Sequence, residues 1–180
     1  MKRNLSVLSA ICLLSLLIAC SPKKLNESQA LEIIKKDYST PKFYDFKIYC
    51  ADPKTAAKLL DAGLETDGFV ILKHSYSLMD IGKPLVAFTE KSKPYLLSTP
   101  EEDRKHSVQL VKLADIKLGS VTGIKTAEDG KSAIVDYYEI YQNISPFSKI
   151  TTKDFNKKNL KTAHFSLYDD GWRLKKKEEI

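Results

Sequence analysis

The hydrophobic and polar positions along the chain predict two helices in its first third. Asn26, followed by Gln29 three positions later, is typical of a capping box, and apolar residues then recur at helical spacing, which predicts a helix over 27–38. Asp52 precedes a proline that occupies the first helical position, where its missing N–H costs nothing. We therefore expect a second helix over 53–62.

The pattern then changes to that of β-strands, in which apolar residues form short runs or alternate with polar ones. An alternating stretch at 43–49 predicts an extended segment or short strand, and the continuous apolar run at 69–72 predicts a strand covered on both faces. Segments 85–89 and 94–98 flank four charged or polar residues and predict a hairpin. The longest regular strand is expected at 133–141.

Between residues 108 and 125 the apolar positions alternate but change phase. This change favours a β-bulge or break near Ala114, with Gly119 as a second candidate. An acidic turn within 165–175 predicts a closing hairpin. The sequence therefore predicts an α+β fold: two N-terminal helices packed on a curved, mainly antiparallel sheet of six or seven strands, in a single domain over 26–180.

The first twenty residues combine a short basic start with an apolar run that ends in Leu17-Ile18-Ala19-Cys20. The run is too short for a membrane-spanning helix and is typical of a secretory signal. Its last four residues resemble the lipobox of bacterial lipoproteins. That resemblance implies a signal peptide over 1–19, cleavage between Ala19 and Cys20, a diacylglyceryl group on the Cys20 thiol and an acylated amino terminus.

The resemblance also implies a location in the bacterial cell envelope. Ser21 follows the cysteine where an aspartate would favour retention, so the outer membrane is expected if the host has one. Residues 20–25 form a polar tether that spans at most about 20 Å. Its lysines, Lys23 and Lys24, either contact anionic headgroups or are solvated.

Composition changes the interpretation of the charge. The chain has 180 residues, 43% of them hydrophobic, which excludes disorder, and its net charge is +6. Removal of residues 1–19 takes away Lys2 and Arg3, which leaves 161 residues with a charge of +4. An envelope location and the lack of interleaved aromatic residues among the lysines argue against nucleic acid as a partner. Only Cys50 then remains a free thiol, so no intramolecular disulfide is possible.

Motifs for catalysis or metal binding are lacking. The sequence has neither a phosphate-binding glycine loop nor a Gly-x-Ser-x-Gly or His-Glu-x-x-His pattern. His74, His106 and His164 are scattered, and Asp169-Asp170 either forms a turn or binds Ca²⁺. Cys50 is either a small buried residue or an exposed thiol for an intermolecular disulfide. No catalytic residue, cofactor or metal ligand is predicted.

Two groups of residues have alternative interpretations. The lysine-rich stretch is expected to be a solvated face, with contact to anionic lipid or polysaccharide as the alternative; it contains Lys149, Lys153, Lys157, Lys158 and Lys161. The aromatic group is expected to pack in the core or on strand faces, with a recognition surface as the alternative; it contains Tyr38, Phe43, Tyr44, Tyr49, Tyr137, Tyr138 and Tyr141.

The final hairpin, with Gly171-Trp172-Arg173-Leu174 after an acidic turn, resembles the closing strands of NTF2-like and cystatin-like envelope domains. This resemblance covers residues 133–175 and implies a curved sheet that wraps a helix, often with a cone-shaped pocket. We expect a non-enzymatic, membrane-anchored lipoprotein that binds a protein or ligand in the envelope. The alternatives are an immunity-type inhibitor of a secreted toxin and a hydrolase whose site is built from distant loops.

Overall fold

A computed structural model describes residues 24–38, 40–75, 77 and 81–176. The predicted signal peptide, the cleavage site at Cys20 and the first part of the tether lie outside the described residues. Within the part of the chain that is described, no helix combines the length and the apolar character needed to cross a membrane.

Helices and strands are interleaved from the start of the described chain. The α-helices are α1 (Glu27–Asp37), α2 (Pro53–Asp61) and α3 (Glu101–Lys105), and 3₁₀ helices span Glu90–Tyr95 and Pro146–Ile150. The strands are β1 (Lys42–Tyr49), β2 (Val70–Leu72), β3 (Val86–Phe88), β4 (Val108–Thr126), β5 (Ser132–Gln142), β6 (Asn159–Tyr168) and β7 (Gly171–Leu174).

The strands form a curled antiparallel sheet of five strands, in the order β1-β4-β5-β6-β7, and a separate pair of β2 with β3. The α+β class is therefore confirmed, but the expectation of one sheet with six or seven strands is wrong. The placement of the two helices also differs, because β1 lies between them. Helix α1 packs on the large sheet beside β4 and β7, whereas α2 packs beside β2.

The expected hairpin of 85–89 with 94–98 is also wrong. Strand β3 pairs with β2, and the chain after it turns into a 3₁₀ helix. Side-chain hydrogen bonds explain this path, since the hydroxyl of Thr89 donates to the carbonyl of Gly68 at 2.7 Å and that of Ser92 donates to the carbonyl of Phe69. These contacts hold the segment against the residues before β2.

Strand β4 contains the irregularities that its changing phase predicts. Its register with β1 skips Leu113, next to the predicted position Ala114, and its register with β5 shifts on both sides of Val121. Each extra residue reverses which side chains face the core. The bulge predicted near Ala114 is confirmed, and the second candidate position, Gly119, lies within a further shift of register, between Leu118 and Val121.

The core consists of two clusters on the same face of the sheet, and each contains one long helix. The α2 cluster is formed by Ile48, Cys50, Leu59, Leu64, Phe69, Val70, Leu72, Val86, Val111, Leu113, Ala114, Phe147, Ile150 and Phe155. The α1 cluster is formed by Leu25, Ala30, Ile34, Ala133, Val135, Ala163 and Phe165. Leu25 is only 4% exposed, so the folded part begins before the predicted boundary at residue 26.

A buried carboxylate lies between the two clusters. Glu139 of β5 accepts hydrogen bonds from the hydroxyl of Tyr38 at 2.6 Å and from the amide of Asn159 at 3.1 Å, and the ammonium of Lys161 lies 3.6 Å away. Tyr38 is the C-cap of α1, so this bond attaches the end of that helix to the sheet. Burial, followed by the hydrogen bond to Glu139, raises the pKa of Tyr38 well above its ordinary value.

Gly119→Ala should destabilise the fold by about 1–3 kcal/mol. A Cβ at this position would lie 2.9 Å from the carbonyl oxygen of Tyr138, so the bulge or the neighbouring strand would have to move. Urea unfolding measures the effect. The matched control is Gly123→Ala in the same strand, where a Cβ meets no atom within 4 Å and stability should stay equal or rise slightly. Equal midpoints for the two variants would contradict this account of Gly119.

Tyr38→Phe should lower the free energy of unfolding at pH 7 by roughly 1–3 kcal/mol, since the Glu139 carboxylate loses a hydrogen bond. The difference in the free energy of unfolding between the variant and the wild type should shrink above about pH 10. In that range the unfolded wild-type chain loses the proton of this tyrosine, whereas folded Tyr38 keeps it. This difference shrinks by at most about 1.4 kcal/mol per pH unit, and by less here, because solvent screens a half-buried group.

Urea unfolding at pH 7 and at pH 10.5 measures the gap between Tyr38→Phe and the wild type. Tyr168→Phe is the control, because Tyr168 is 50% exposed and its variant should follow the wild type at both pH values. A gap for Tyr38→Phe that is the same at both pH values argues against the raised pKa.

Candidate binding groove between strand β1 and helix α2

Strand β1 lies at one edge of the large sheet, with β4 on its only paired side among the described strands. A groove runs along its other side and is lined by the consecutive residues 46–49. Consecutive side chains of a strand point to opposite faces. A groove that touches four of them in a row therefore lies against the strand's edge.

Helix α2 forms the opposite wall and is fixed by a strong N-terminal cap. The carboxylate of Asp52 accepts from the backbone N–H groups of Lys54 and Thr55 and from the Thr55 hydroxyl at 2.8 Å. The hydroxyl bond is the largest cause that lowers the pKa of Asp52. Since the cap already occupies these N–H groups, the helix end does not offer them to an anion.

The floor of the groove is apolar and belongs to the core. Ile48 and Leu59 are fully buried, Ile150 is 5% exposed, and Phe46 packs against the same cluster. The groove has a volume of about 130 Å³. Clefts for small-molecule ligands are usually about 300–1,000 Å³, so this one suits an inserted side chain better than a whole ligand.

The rim of the groove is basic. Lys47 donates to Asp103 of α3 at 2.8 Å, a hydrogen bond that raises the pKa of Lys47. The ammonium of Lys58 lies 6.0 Å from the ring centre of Phe46. Among the residues that the structure describes, no carboxylate forms an ion pair with Lys54 or Lys58. Lys54 is close enough to lower the pKa of Asp52, but neither it nor Lys58 has an ion-pair partner of its own among the described residues, so the rim is positively charged.

A second hollow, of about 270 Å³, lies between α1 and the β6–β7 hairpin. Trp172 and the carboxylates of Glu32 and Asp170 line it. Asp170 is already paired with Arg173, and that hydrogen bond lowers its pKa. Because its carboxylate is used within the hairpin, we consider this hollow a weaker candidate than the groove.

The three histidines lie on separate elements. His74 follows β2 and lies 2.9 Å from a Glu65 oxygen, while His106 ends α3 and lies 3.3 Å from a Glu102 oxygen. His164 on β6 pairs in register with the exposed Ile134. Nor does any group of three His, Cys, Asp or Glu side chains within the described ranges come close enough to hold a metal ion.

The lysine-rich stretch is largely exposed, as expected of a solvated face, but its lysines also make specific contacts. Four of its five lysines have defined partners: Asp67 for Lys149, the rings of Tyr44 and Tyr141 for Lys153, the ring of Tyr138 for Lys158, and Glu139 for Lys161. These partners are distant in sequence, so strand pairing supplies the aromatic contacts that the linear pattern did not show.

Most of the aromatic group packs as expected. Tyr44, Tyr141 and Phe155 meet edge to face, with ring centres 5.3–5.7 Å apart, and Tyr38 and Tyr137 lie beside Glu139. Tyr49 differs because it is 51% exposed and lines the groove. The alternative of a recognition surface stays a prediction, and Tyr49 at the end of β1 is exposed enough to serve in one.

Cys50 is a small buried residue, and the pair Asp169-Asp170 forms a turn, which is the first of the two interpretations given for each. Cys50 is 7% exposed, its thiol faces the carbonyl of Ile48 at 3.7 Å, and burial raises its pKa. Its burial leaves no exposed thiol for an intermolecular disulfide. Asp169 and Asp170 form the turn between β6 and β7.

Of the groove residues, sequence analysis named Tyr49 in the aromatic group and Asp52 as a helix cap, but not the lysines of α2. Lys54 and Lys58 are four positions apart, which places them on one face of a helix, and this signal was present in the sequence. The edge position of β1 had no local signal. It follows from the pairing of Phe46 with Val111, which are 65 positions apart.

Comparisons with known proteins do not add a family to this description. No protein-family model matches the chain, and no curated protein or solved structure matches it significantly. The resemblances to bacterial lipoproteins and to NTF2-like and cystatin-like envelope domains stay predictions.

Proposed function

We propose that this protein is a lipid-anchored protein of the bacterial cell envelope that binds another protein through the groove between β1 and α2. The groove carries the proposal, since it combines a free strand edge, an apolar floor and two lysines, Lys54 and Lys58, that form no ion pair with the described residues. These are features of a surface that recognises a polypeptide rather than of a site for covalent chemistry. The proposed role is non-enzymatic.

The start of the folded region supports a short distance to the membrane. If Cys20 carries the lipid, Leu25 is the first residue held in the core. The tether is then residues 20–24, which span at most about 18 Å. Lys24 lies beside the turn between β4 and β5, next to Thr126 and Gly130. The anchored end of the domain would be the end that bears this turn.

The groove lies toward the other end of the sheet. Phe46 pairs with Val111, near the start of β4, and the turn follows Thr126 at the end of that strand. Fifteen residues of strand correspond to about 50 Å of chain, which the curl of the sheet shortens. The proposed anchor therefore leaves the groove open to partners away from the membrane surface.

An immunity-type inhibitor is one form of this proposal, in which the bound protein is a secreted toxin. A hydrolase that uses a side-chain nucleophile needs a base beside it, most often a histidine. The separate positions of His74, His106 and His164 do not favour such an arrangement. No observation gives the hydrolase independent support, so the binding role is the one we propose.

Cys20→Ser should abolish lipid attachment, because only a thiol at this position forms the thioether. Metabolic labelling with an alkyne fatty acid in a bacterial host should label the wild type and leave Cys20→Ser unlabelled. Cys50→Ala is the matched control and should be labelled like the wild type. Equal labelling of Cys20→Ser and the wild type would show that the anchor is elsewhere or absent.

A photo-crosslinking amino acid in place of Lys58 should capture a discrete protein partner in living cells, because this side chain lies at the rim of the groove. The same amino acid in place of Lys35, an exposed lysine of α1, should not capture that partner. Mass spectrometry identifies the adduct. The purified partner should bind the double variant Lys54→Glu/Lys58→Glu about tenfold more weakly than the wild type.

Two results of the crosslinking experiment would count against the proposed groove. The first is the same adduct from positions 58 and 35, which would indicate non-specific capture. The second is a purified partner that binds Lys54→Glu/Lys58→Glu as tightly as the wild type.

A further inference from the structure

The free edge of β1 offers backbone hydrogen-bonding groups that no described strand uses. In an antiparallel pair, alternate residues direct their N–H and C=O groups to the partner strand, and the others direct theirs to the opposite side. Strand β4 pairs with β1 along all eight residues of Lys42–Tyr49, so the opposite side carries donors and acceptors that no described strand pairs, except that the carbonyl of Tyr49 accepts from the N–H of Asp52. Such an edge is a template for another strand.

We infer that the partner binds as an extended segment that adds to β1 as a sixth strand of the large sheet, with acidic side chains opposite Lys54 and Lys58 and an apolar side chain in the groove. This inference rests on the proposed binding function and specifies the chemistry of the partner. Main-chain hydrogen bonds would supply affinity, and the groove would supply specificity.

The spacing of the two lysines matches an extended segment. Lys54 and Lys58 are four residues apart on α2, which corresponds to about 6 Å along the helix axis. Residues two apart on a strand face the same side and are separated by about 6.5 Å. The recognised sequence would therefore contain two acidic residues with one residue between them.

Charge also favours a partner over a second copy of this chain. In a symmetric pair, the two copies of β1 would lie side by side, and the same surface of each would meet the other. Lys54 and Lys58 of one copy would then approach the same two lysines of the other, whereas Lys47 is already paired with Asp103. Repulsion between like charges disfavours that arrangement, whereas an acidic segment compensates them.

The inference can be tested with a phage library of random heptapeptides and the purified full chain in detergent micelles. Selection should enrich peptides with two acidic residues separated by one, together with an apolar residue. Synthetic peptides of that pattern should bind Lys54→Glu/Lys58→Glu about tenfold or more weakly than the wild type by fluorescence polarisation. The matched control is Lys35→Glu/Lys36→Glu on α1, which should bind like the wild type.

A charge-reversed peptide, with lysines in place of its acidic residues, guards against a misfolded variant. It should bind Lys54→Glu/Lys58→Glu better than the wild type. Three results would each overturn the acidic part of the inference. They are enrichment of peptides without acidic residues, no enrichment at all, and equal binding of the peptides to both double variants.

Backbone N-methylation tests strand addition itself. Peptides methylated on one alternating set of residues should lose binding, and peptides methylated on the other set should keep it, because only one set donates to β1. Equal effects of the two sets would overturn strand addition. Sedimentation experiments can also show that the free chain is a dimer and that the peptide dissociates it. In that case a second copy occupies β1, and the acidic partner is overturned.

These results separate the inference from the proposed function. A partner crosslinked at position 58 whose binding does not depend on strand addition would leave the binding role intact and reject only this inference. Peptides that bind as expected, without any cellular partner captured at position 58, would support strand addition to β1 and count against the proposed binding role in the cell.

Discussion

The structure depends on one strand that serves two separate cores. Strand β4 contributes Val111 to the α2 cluster and Leu118, Val121 and Ile124 to the α1 cluster, all on the covered face of the sheet. A strand of regular alternation could not place them all there, because side chains an odd number of residues apart face opposite sides. The extra residues in its registers with β1 and β5 correct the phase. They also increase local twist, so the curl of the sheet and the phase of its core have the same cause.

The boundary between the two clusters is polar, and this affects the placement of β1. Glu139 is the buried acidic residue of β5 at this boundary, and its bond to Tyr38 fixes the C-terminal end of α1. Lys42, the first residue of β1, follows Tyr38 by only four positions, and its ammonium lies 4.1 Å from the Tyr38 ring centre. The position of Tyr38 therefore limits where β1 can enter the sheet. A buried, fully bonded carboxylate is better explained as a determinant of this geometry than as a source of stability.

The features that sequence analysis predicted correctly depend on interactions within a few residues. The capping box at Asn26, the Asp52 cap and the bulge near Ala114 each have a local physical cause. The predicted hairpin at 85–98 failed because its turn residues form a 3₁₀ helix held by contacts to Gly68 and Phe69, about 20 positions earlier. The division into two sheets and the edge position of β1 were out of reach for the same reason, since both are set by pairing between distant segments. The helical spacing of the two lysines of α2 is visible in the sequence, whereas the position of β1 at the edge of the sheet is not.

An open strand edge is a liability that proteins usually manage, and the charges near β1 explain how this edge can stay open. A second copy of the chain would bring its Lys54 and Lys58 toward the same two lysines, and the cost of that approach opposes edge-to-edge aggregation. The same positive charge lowers the free energy of a complex with an acidic strand. Specificity is the difference between these two free energies. The same lysines raise the free energy of pairing with a second copy and lower that of a complex with an acidic strand, so both effects increase specificity. In the complex that we propose, a single arrangement of α2 beside β1 would thus both oppose pairing with a second copy and favour a partner of opposite charge.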